Sequence, residues 1–407
     1  MTPRQPRWRP FEQTERRGSG ANSYPASPRG EMREPVSLDS FHVVPPASHN
    51  RANKIALLGF GTVGSAVARR LTGPDAVSSL ELTHIVDRRA DRKRRQFGDA
   101  RVVWASSLDE ILERDIDIVV EAIGGLDTAT DWIRRALEAG KSVVTANKQV
   151  MAHHGAALWT LAARQGRQLR FEAAVGGAMP IVRAVSDGLA GDRITRVVGI
   201  LNGTTNAVLS RMDSSGCSLE DALADARARG YAEADPSTDL DGDDARAKLA
   251  ILCAIAFGLR VEPRAIPARS AAGVTVADFA RARRADRTIR QLAHAEYNRA
   301  ASTLTAWVAP VAVARDSIFG RTLGAQNAAL ITGVHAGDVG VFGTGAGGEA
   351  TAVAILSDLA AIARDRAAIV PPPRLSSDFS LQTNFVDSNF DRQTSHFKLQ
   401  TSLAEAV

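Results

Sequence analysis

Lys54-Ile55-Ala56-Leu57-Leu58-Gly59-Phe60-Gly61-Thr62-Val63-Gly64 runs from an apolar segment straight into a glycine turn. Ile55 to Leu58 read as a short buried strand. The three glycines stand at the G-x-G-x-x-G spacing of a dinucleotide-binding turn, and the residues after Thr62 open a helix through Val67 to Leu71. Gly59 permits the tight turn, Gly61 lets a pyrophosphate approach the main chain, and Gly64 lets helix and strand pack closely. Unpaired N–H groups and the positive end of the helix would then hold the phosphates, with Phe60, Thr62 and Val63 completing the candidate cofactor turn. A glycine turn without a ligand is the plain alternative; a strand before it and a helix after it argue against that.

Outward from this motif, strand signals at Leu82–Val86, Asp117–Glu121 and Ser142–Thr145 alternate with helical stretches, one of which, Ala129–Ala139, stops at Gly140. Alternation of this kind implies a parallel sheet with helices on both faces. Asp87 ends the second strand, where an acid binds a ribose 2′-hydroxyl and favours NAD. Arg88 and Arg89 follow at once, and either suits a 2′-phosphate and NADP. Both cofactors therefore stay open. The basic run Arg88–Arg95 reads as a solvated loop and helix start, or as part of that ribose site. Gly124-Gly125 suggests a second close approach of main chain to cofactor, against the alternative of a plain strand-to-helix turn.

The pattern changes after about residue 178. Ile194–Leu201 reads as a strand, helices follow over about 203–258, and β-like runs return at Leu304–Val313, Ala328–Thr332 and Val339–Phe342. A helix over about Ala350–Arg364, preceded by the glycine-rich Gly343–Gly348, is placed to pack back on the first domain. The expected class is α/β: a Rossmann-type parallel-sheet domain over 51–178, an α+β substrate and dimerisation domain over 179–345, and a returning helix over 346–368. Residues 1–50, rich in Arg, Pro, Ser and Gly, read as a disordered extension or an overlong gene start with Met32 as the internal candidate. They lack the apolar core of a secretory signal, and Glu12, Glu15, Glu31 and Glu34 argue against a transit peptide. Residues 369–407 are polar and read as a loose tail.

Composition sets bounds on function. At 407 residues the chain is long enough for two cores, and 44% hydrophobic with 23% charged residues is ordinary for a soluble enzyme. No unbroken apolar run approaches the roughly 20 residues of a membrane span, so no membrane partner is expected. With a net charge of +5, 5% aromatics and no basic helix carrying interleaved aromatics, nucleic acid is not an expected partner either. Cys217 and Cys253 have neither metal-site nor disulfide spacing, which fits a reducing cytoplasm.

Three residues carry reaction chemistry. Lys148 closes the run Val143-Val-Thr-Ala-Asn-Lys148, and Asp244 and Lys248 stand four apart on an expected helix. A lysine can give a proton to a carbonyl oxygen while a nicotinamide delivers hydride. Its ordinary pKa near 10.4 is high for that task at neutral pH, so desolvation or a second cation, such as Lys148, would be needed to lower it. Read by itself, the Asp244–Lys248 pair is an ordinary surface ion pair.

Gly59–Gly64, Asp117–Gly125, Val143–Lys148, Glu172-Ala-Ala-Val-Gly-Gly177, Gly199–Asn206, Gly230–Pro236, Asp239–Asp244, Lys248 and Gly345-Ala-Gly347 occur in the order found in homoserine dehydrogenases. The chain resembles that family from about residue 53 to 365. The resemblance implies NAD- or NADP-dependent interconversion of L-aspartate 4-semialdehyde and L-homoserine, a step of threonine, methionine and isoleucine synthesis. It places Lys248, Lys148 and Asp244 in catalysis, and Lys148, Gly124 and Gly347 beside the cofactor. Glu233, Asp239, Asp244, Asn202, Gly203 and Thr204 would receive the substrate, although the 202–206 segment also suits plain helix capping. Glu172, Val175, Gly177 and Met179 would offer main-chain carbonyls to a monovalent cation, Na+ or K+; here Gly177-Ala-Met-Pro180 replaces the usual Gly-Gly-Ile-Pro. Members are commonly homodimers or homotetramers. Many carry a C-terminal ACT domain that senses threonine, and the stretch after residue 365 is too short for one, so weak or absent threonine feedback of that kind is expected. Two rival readings remain: a dehydrogenase of another small amino acid or semialdehyde on the same fold, and a catalytically inactive nucleotide-binding regulator.

Overall fold

The computed structural model describes residues 51–365, 368 and 373–382. The expected extension over 1–50 and the end of the expected tail lie outside the described residues.

The first layer alternates strand and helix as expected: β1 (Asn53–Leu58), α1 (Thr62–Thr72), β2 (Leu80–Val86), α2 (Ala90–Phe97), β3 (Val103–Ala105), α3 (Asp109–Leu112), β4 (Ile118–Glu121), α4 (Asp127–Glu138), β5 (Ser142–Thr145), α5 (Lys148–Arg164) and β6 (Leu169–Arg170). The strands form one sheet in the order β3-β2-β1-β4-β5-β6, parallel throughout. Successive residues of β1 serve opposite faces. Ala56 and Leu58 join the core with Ile133 and Leu158, whereas Ile55 and Leu57 pack with Val67 and Leu359. Strand order reverses between β1 and β4, and a crevice opens outside their carboxyl ends, the usual place for a ligand in such sheets. The helix α2, which carries most of the basic run, buries no residue.

The second layer follows a short turn of helix, α6 (Ile181–Arg183). It comprises β7 (Ile194–Ile200), α7 (Gly203–Ser215), α8 (Leu219–Ala228), α9 (Ser237–Leu240), α10 (Asp243–Phe257), α11 (Val276–Arg283), β8 (Arg287–Asn298), β9 (Thr303–Ala314), α12 (Ile318–Arg321), β10 (Gln326–Gly333) and β11 (Gly337–Thr344). Its sheet runs β11-β10-β7-β8-β9, and a short strand β12 (Ser380–Gln382) follows β9 at the edge. The strands β8 and β9 pair antiparallel along their whole length. Arg290, Gln291, His294 and Glu296 give β8 a polar content that hides it from a hydrophobic-pattern reading. Arg290 is nevertheless fully buried, with its guanidinium donating to the carbonyls of Ile289, Gly320 and Thr322.

The last long helix, α13 (Gly348–Arg364), does return to the first layer, where it packs on α1 and β5. One correction concerns the tail. Residues 373–382 are not loose: β12 (Ser380–Gln382) adds to the edge strand β9 in parallel, and Leu375, Phe379 and Leu381 pack on the core. Three apolar residues in a polar stretch are a weak periodic signal, and their docking depends on a sheet edge left open by distant residues. Among the described residues no helix is long and apolar enough to cross a membrane.

Candidate active site

The glycine turn shows why each glycine stands where it does. Gly59 has φ +94°, and a Cβ there would lie 2.6 Å from the Ala122 carbonyl oxygen. A Cβ on Gly64 would collide with the Gly59 carbonyl. A Cβ on Gly61 meets no atom within 4 Å, so packing does not demand this glycine; the open space above it is what a pyrophosphate needs. Gly124 and Gly347 likewise face open space. The Glu121 carboxylate shapes the Gly124 turn by accepting from the amides of Ile123 at 2.9 Å and Gly124 at 3.2 Å. The N-termini of α1 and α13 meet where Gly348 abuts Thr62. These residues fit a dinucleotide. Replacing Gly61 by Ala should leave the melting temperature unchanged and raise the KM for cofactor about tenfold or more. Replacing Gly64 by Ala should lower the yield of folded protein. Thermal denaturation and cofactor titration check the two outcomes separately.

Asp87 stands at the far end of the crevice, where a cavity of about 350 Å³ is bordered by Gly61, Asp87, Arg88, Arg89, Lys93 and Trp132. Its carboxylate accepts from the Phe60 amide at 2.9 Å, the Arg89 amide at 2.8 Å and the Lys93 ammonium at 2.6 Å. Burial pushes the Asp87 carboxyl up, but these hydrogen bonds, that of Lys93 foremost, hold it below the usual carboxylate range. Arg88 and Arg89 are exposed and make no salt bridge among the described residues.

The second half of the site is built by two helix starts. Asn147 caps α5, its side-chain oxygen accepting from the amides of Gln149 and Val150, while its amide group donates to the Gly125 carbonyl at 2.7 Å. The cap aims Lys148 from the end of β5 toward the second layer. There α10 packs on α5. Nearly every position of α10 is buried, Asp244 and Lys248 included, which removes the reading of that pair as a surface ion pair.

Asp244 bridges the two lysines. Its Oδ1 lies 3.0 Å from Lys148 Nζ and its Oδ2 lies 2.8 Å from Lys248 Nζ. Lys248 also donates to the Leu201 carbonyl at 2.8 Å. Asn202 donates to Asp244 at 2.9 Å and to Asp239 at 2.7 Å, and accepts from the Thr205 amide as the cap of α7. Capping and site-building are thus one arrangement. Burial pushes the Asp244 carboxyl up, yet the charges of Lys248 and Lys148 and the hydrogen bonds from Lys248 and Asn202 overcome it and hold the group ionised well below the usual range. Asp239 is raised, by burial first and by the neighbouring Asp244 charge, against the Asn202 hydrogen bond. The Lys148 ammonium is held above the ordinary lysine range, chiefly by the Asp244 charge and against its own burial. The expected pairing of cation with cation is therefore corrected: a carboxylate stands between the amines.

All of these groups border one cleft of about 890 Å³, together with Thr204, Glu233 and Gly345. Glu233 is exposed on a loop at its mouth, and Thr204 ties that loop down by donating to the Tyr231 carbonyl at 2.7 Å. Gly203 serves packing, since a Cβ would lie 2.8 Å from the Ala325 carbonyl oxygen. Val175 and Gly177 border the same cleft, whereas the Glu172 carboxylate turns away and accepts from the amides of Val182 at 2.8 Å and Arg183 at 2.9 Å. Met179 is fully buried. Among the described residues no group of three His, Cys, Asp or Glu side chains could hold a metal ion. Asn147 and Glu121 position the site without facing the cleft, and their signal lay in the capping and turn motifs that contain them.

Comparison with known proteins agrees with this geometry. The family model for homoserine dehydrogenase matches residues 180–360, and the model for the NAD-binding domain of homoserine dehydrogenase matches residues 59–172. A homoserine dehydrogenase of Synechocystis is 41% identical over 313 residues, 75% of this chain and 72% of that protein. The crystal structure of a homoserine dehydrogenase from Thiobacillus denitrificans superposes with a TM-score of 0.74 at 32% identity, covering 82% of this chain and 80% of that one. A hyperthermophilic archaeal homoserine dehydrogenase in complex with NADPH superposes with a TM-score of 0.64 at 28% identity, covering 77% and 98% respectively. A parallel-sheet dinucleotide crevice joined to a lysine-bearing cleft defines an NAD(P)-dependent oxidoreductase. The chain belongs to the homoserine dehydrogenase family.

Proposed function

We propose that the cleft interconverts L-aspartate 4-semialdehyde and L-homoserine with Lys248 as the proton donor and acceptor. The observation that carries this reading is the convergence of Lys148 and Lys248 on the one carboxylate of Asp244, beside the open end of the dinucleotide crevice. A bound nicotinamide cofactor would supply or take up the hydride. Lys148 polarises the carbonyl from the first layer, and Lys248 gives its proton to the oxygen as the alcohol forms. Asp244 holds both amines in place. Asp239 and Glu233 receive the substrate ammonium, and Asn202, Gly203 and Thr204 line the approach. Absorbance of NADPH and NADH followed separately with aspartate semialdehyde tests the reading. Cofactor binding with no turnover of this or any related aldehyde would leave an inactive regulator in its place.

NADPH is the favoured cofactor. Lys93 neutralises Asp87, which leaves Arg88 and Arg89 to meet a 2′-phosphate bidentately. The combined Arg88→Ala and Arg89→Ala variant should raise the KM for NADPH about 30-fold and that for NADH by less than about threefold. Equal losses for both cofactors would reverse the assignment.

A Na+ or K+ ion at the Glu172–Met179 turn would be held through main-chain carbonyls, those of Val175 and Gly177 bordering the cleft. Rates unchanged when choline replaces both ions at constant ionic strength would remove it from the reaction. A homodimer or homotetramer is supported by apolar exposure at one end of the second sheet, where Phe342 is 72% and Leu323 56% exposed. Phe342→Glu should then shift the mass measured by light scattering to that of a monomer. The free thiols Cys217 and Cys253, the latter pushed up to about 12 by burial, suit a cytoplasmic setting.

A further inference from the structure

A second cavity, of about 550 Å³, shares no bordering residue with the catalytic cleft. Its size falls in the range of small-molecule sites. The two spaces are nevertheless neighbours along the chain: Phe171 and Glu172 border this one, and Ala173 and Ala174 border the cleft. Trp159, Leu169, Val185, Leu189 and Ile255 supply apolar wall. One side is made by Ala184–Gly188, a single wide helical turn closed by the Leu189 amide on the Ala184 carbonyl at 3.0 Å. Such turns are rare, and they concentrate at functional sites.

The polar part of the wall holds four arginines, Arg170, Arg183, Arg193 and Arg299, and four carboxylates, Glu172, Asp187, Asp192 and Asp358, and the first two arginines keep N–H groups that these acids do not take. Asp358, 2% exposed on α13, accepts from the Arg183 guanidinium at 2.9 Å and from the Glu172 amide at 2.9 Å. The Nε of Arg183 is buried with no partner among the described residues. Arg170 lies close enough to feel both Asp358 and Arg183, and its Nε donates to Gln168 at 2.8 Å. Its remaining N–H groups find no acceptor among the described residues. A buried unpaired donor is costly, so the Arg183 Nε, lying near the unpaired N–H groups of half-buried Arg170 and beside apolar surface, is matched to an anion.

We propose that this cavity binds a small organic carboxylate with an apolar tail. The carboxylate takes the free N–H groups of Arg170 and Arg183, and the tail lies against Trp159 and Leu189. Such a ligand sits outside the reaction proposed above, and its binding does not depend on that reaction. The test is calorimetric titration of the full-length protein, saturated with NADPH, with isovalerate, phenylacetate and inorganic phosphate. Trp159 next to Phe171, with ring centres 5.3 Å apart, provides a fluorescence signal in parallel. Saturable binding of isovalerate or phenylacetate is expected with a Kd on the order of 1 mM or tighter. Arg170→Gln should weaken it about tenfold, and Ala190→Trp, which fills the mouth, should abolish it, with the KM for aspartate semialdehyde unchanged in both. Absence of saturable heat overturns the proposal. So does binding that survives both variants, which would place the probe on the cleft lysines, and so does phosphate binding as tightly as the carboxylates, which would show an anion site without recognition of the tail.

Discussion

Lys248→Ala should lower kcat by about three orders of magnitude and leave cofactor affinity unchanged. The side chain is 11% exposed and its amine has two fixed partners, Asp244 and the Leu201 carbonyl, which hold it in the cleft for the proton transfer proposed above. Truncation removes that proton route without dismantling the site. Asp244 keeps Lys148, and the Leu201 carbonyl keeps the Asn327 side chain as a donor at 3.3 Å. The cofactor turn is built by other residues. Lys248→Arg should be comparably slow in homoserine oxidation, because a guanidinium does not release its proton. Steady-state kinetics in both directions, with cofactor titration of the variant, checks the result. A loss of less than about tenfold would assign the proton transfer elsewhere.

Asp244→Asn should cut kcat about 100-fold and move the alkaline limb of the rate profile to lower pH. The direction follows from the charges. Asp244 is the main cause of the raised Lys148 pKa, so removing its charge lets the Lys148 proton leave at lower pH. The same change acts on stability. A lysine whose folded pKa is raised contributes stability below its unfolded value that is lost as pH rises through the folded value. A carboxylate whose folded pKa is depressed contributes stability above its unfolded value that is lost as pH falls toward the folded one. Between those limits, across the neutral range, wild type holds both contributions and the variant holds neither. Breaking a buried ion pair costs roughly 3–5 kcal/mol when one partner is truncated, and an asparagine of the same shape should cost less. Thermal melts at pH 6 to 9 and kcat profiles on the same preparation separate the two effects. An unmoved alkaline limb would mean that Lys148 ionisation does not govern the rate.

Much of the layout was legible in the chain itself. A glycine at 59, 61 and 64 after Ile55–Leu58 specifies a strand, a turn and a helix because main-chain sterics and hydrogen bonding act over a few residues. The four-residue spacing of Asp244 and Lys248 puts them on one helix face for the same local reason. Asn202 and Asn147 announced helix starts through their capping chemistry. The strand β8 was less legible, since buried Arg290 and His294 look like surface residues until partners from elsewhere enclose them.

Other features came into being only with the tertiary structure. Whether Asp244 and Lys248 form an exposed pair or a buried one depends on the packing of α10 against α5 and the second sheet. Lys148 meets Asp244 because two separate layers close on each other, and that contact bridges two like charges through one carboxylate and holds the Lys148 ammonium above the ordinary lysine range. Asp87 gains its ion pair only once Lys93 folds back onto it, and residues 373–382 pair with the open edge of β9. Local conformation follows from neighbours in sequence, and the sequence alone therefore determined the cofactor turn, the helix starts and the candidate lysines. Burial, charge pairing and proton affinity follow from neighbours in space, and these only the folded chain decided.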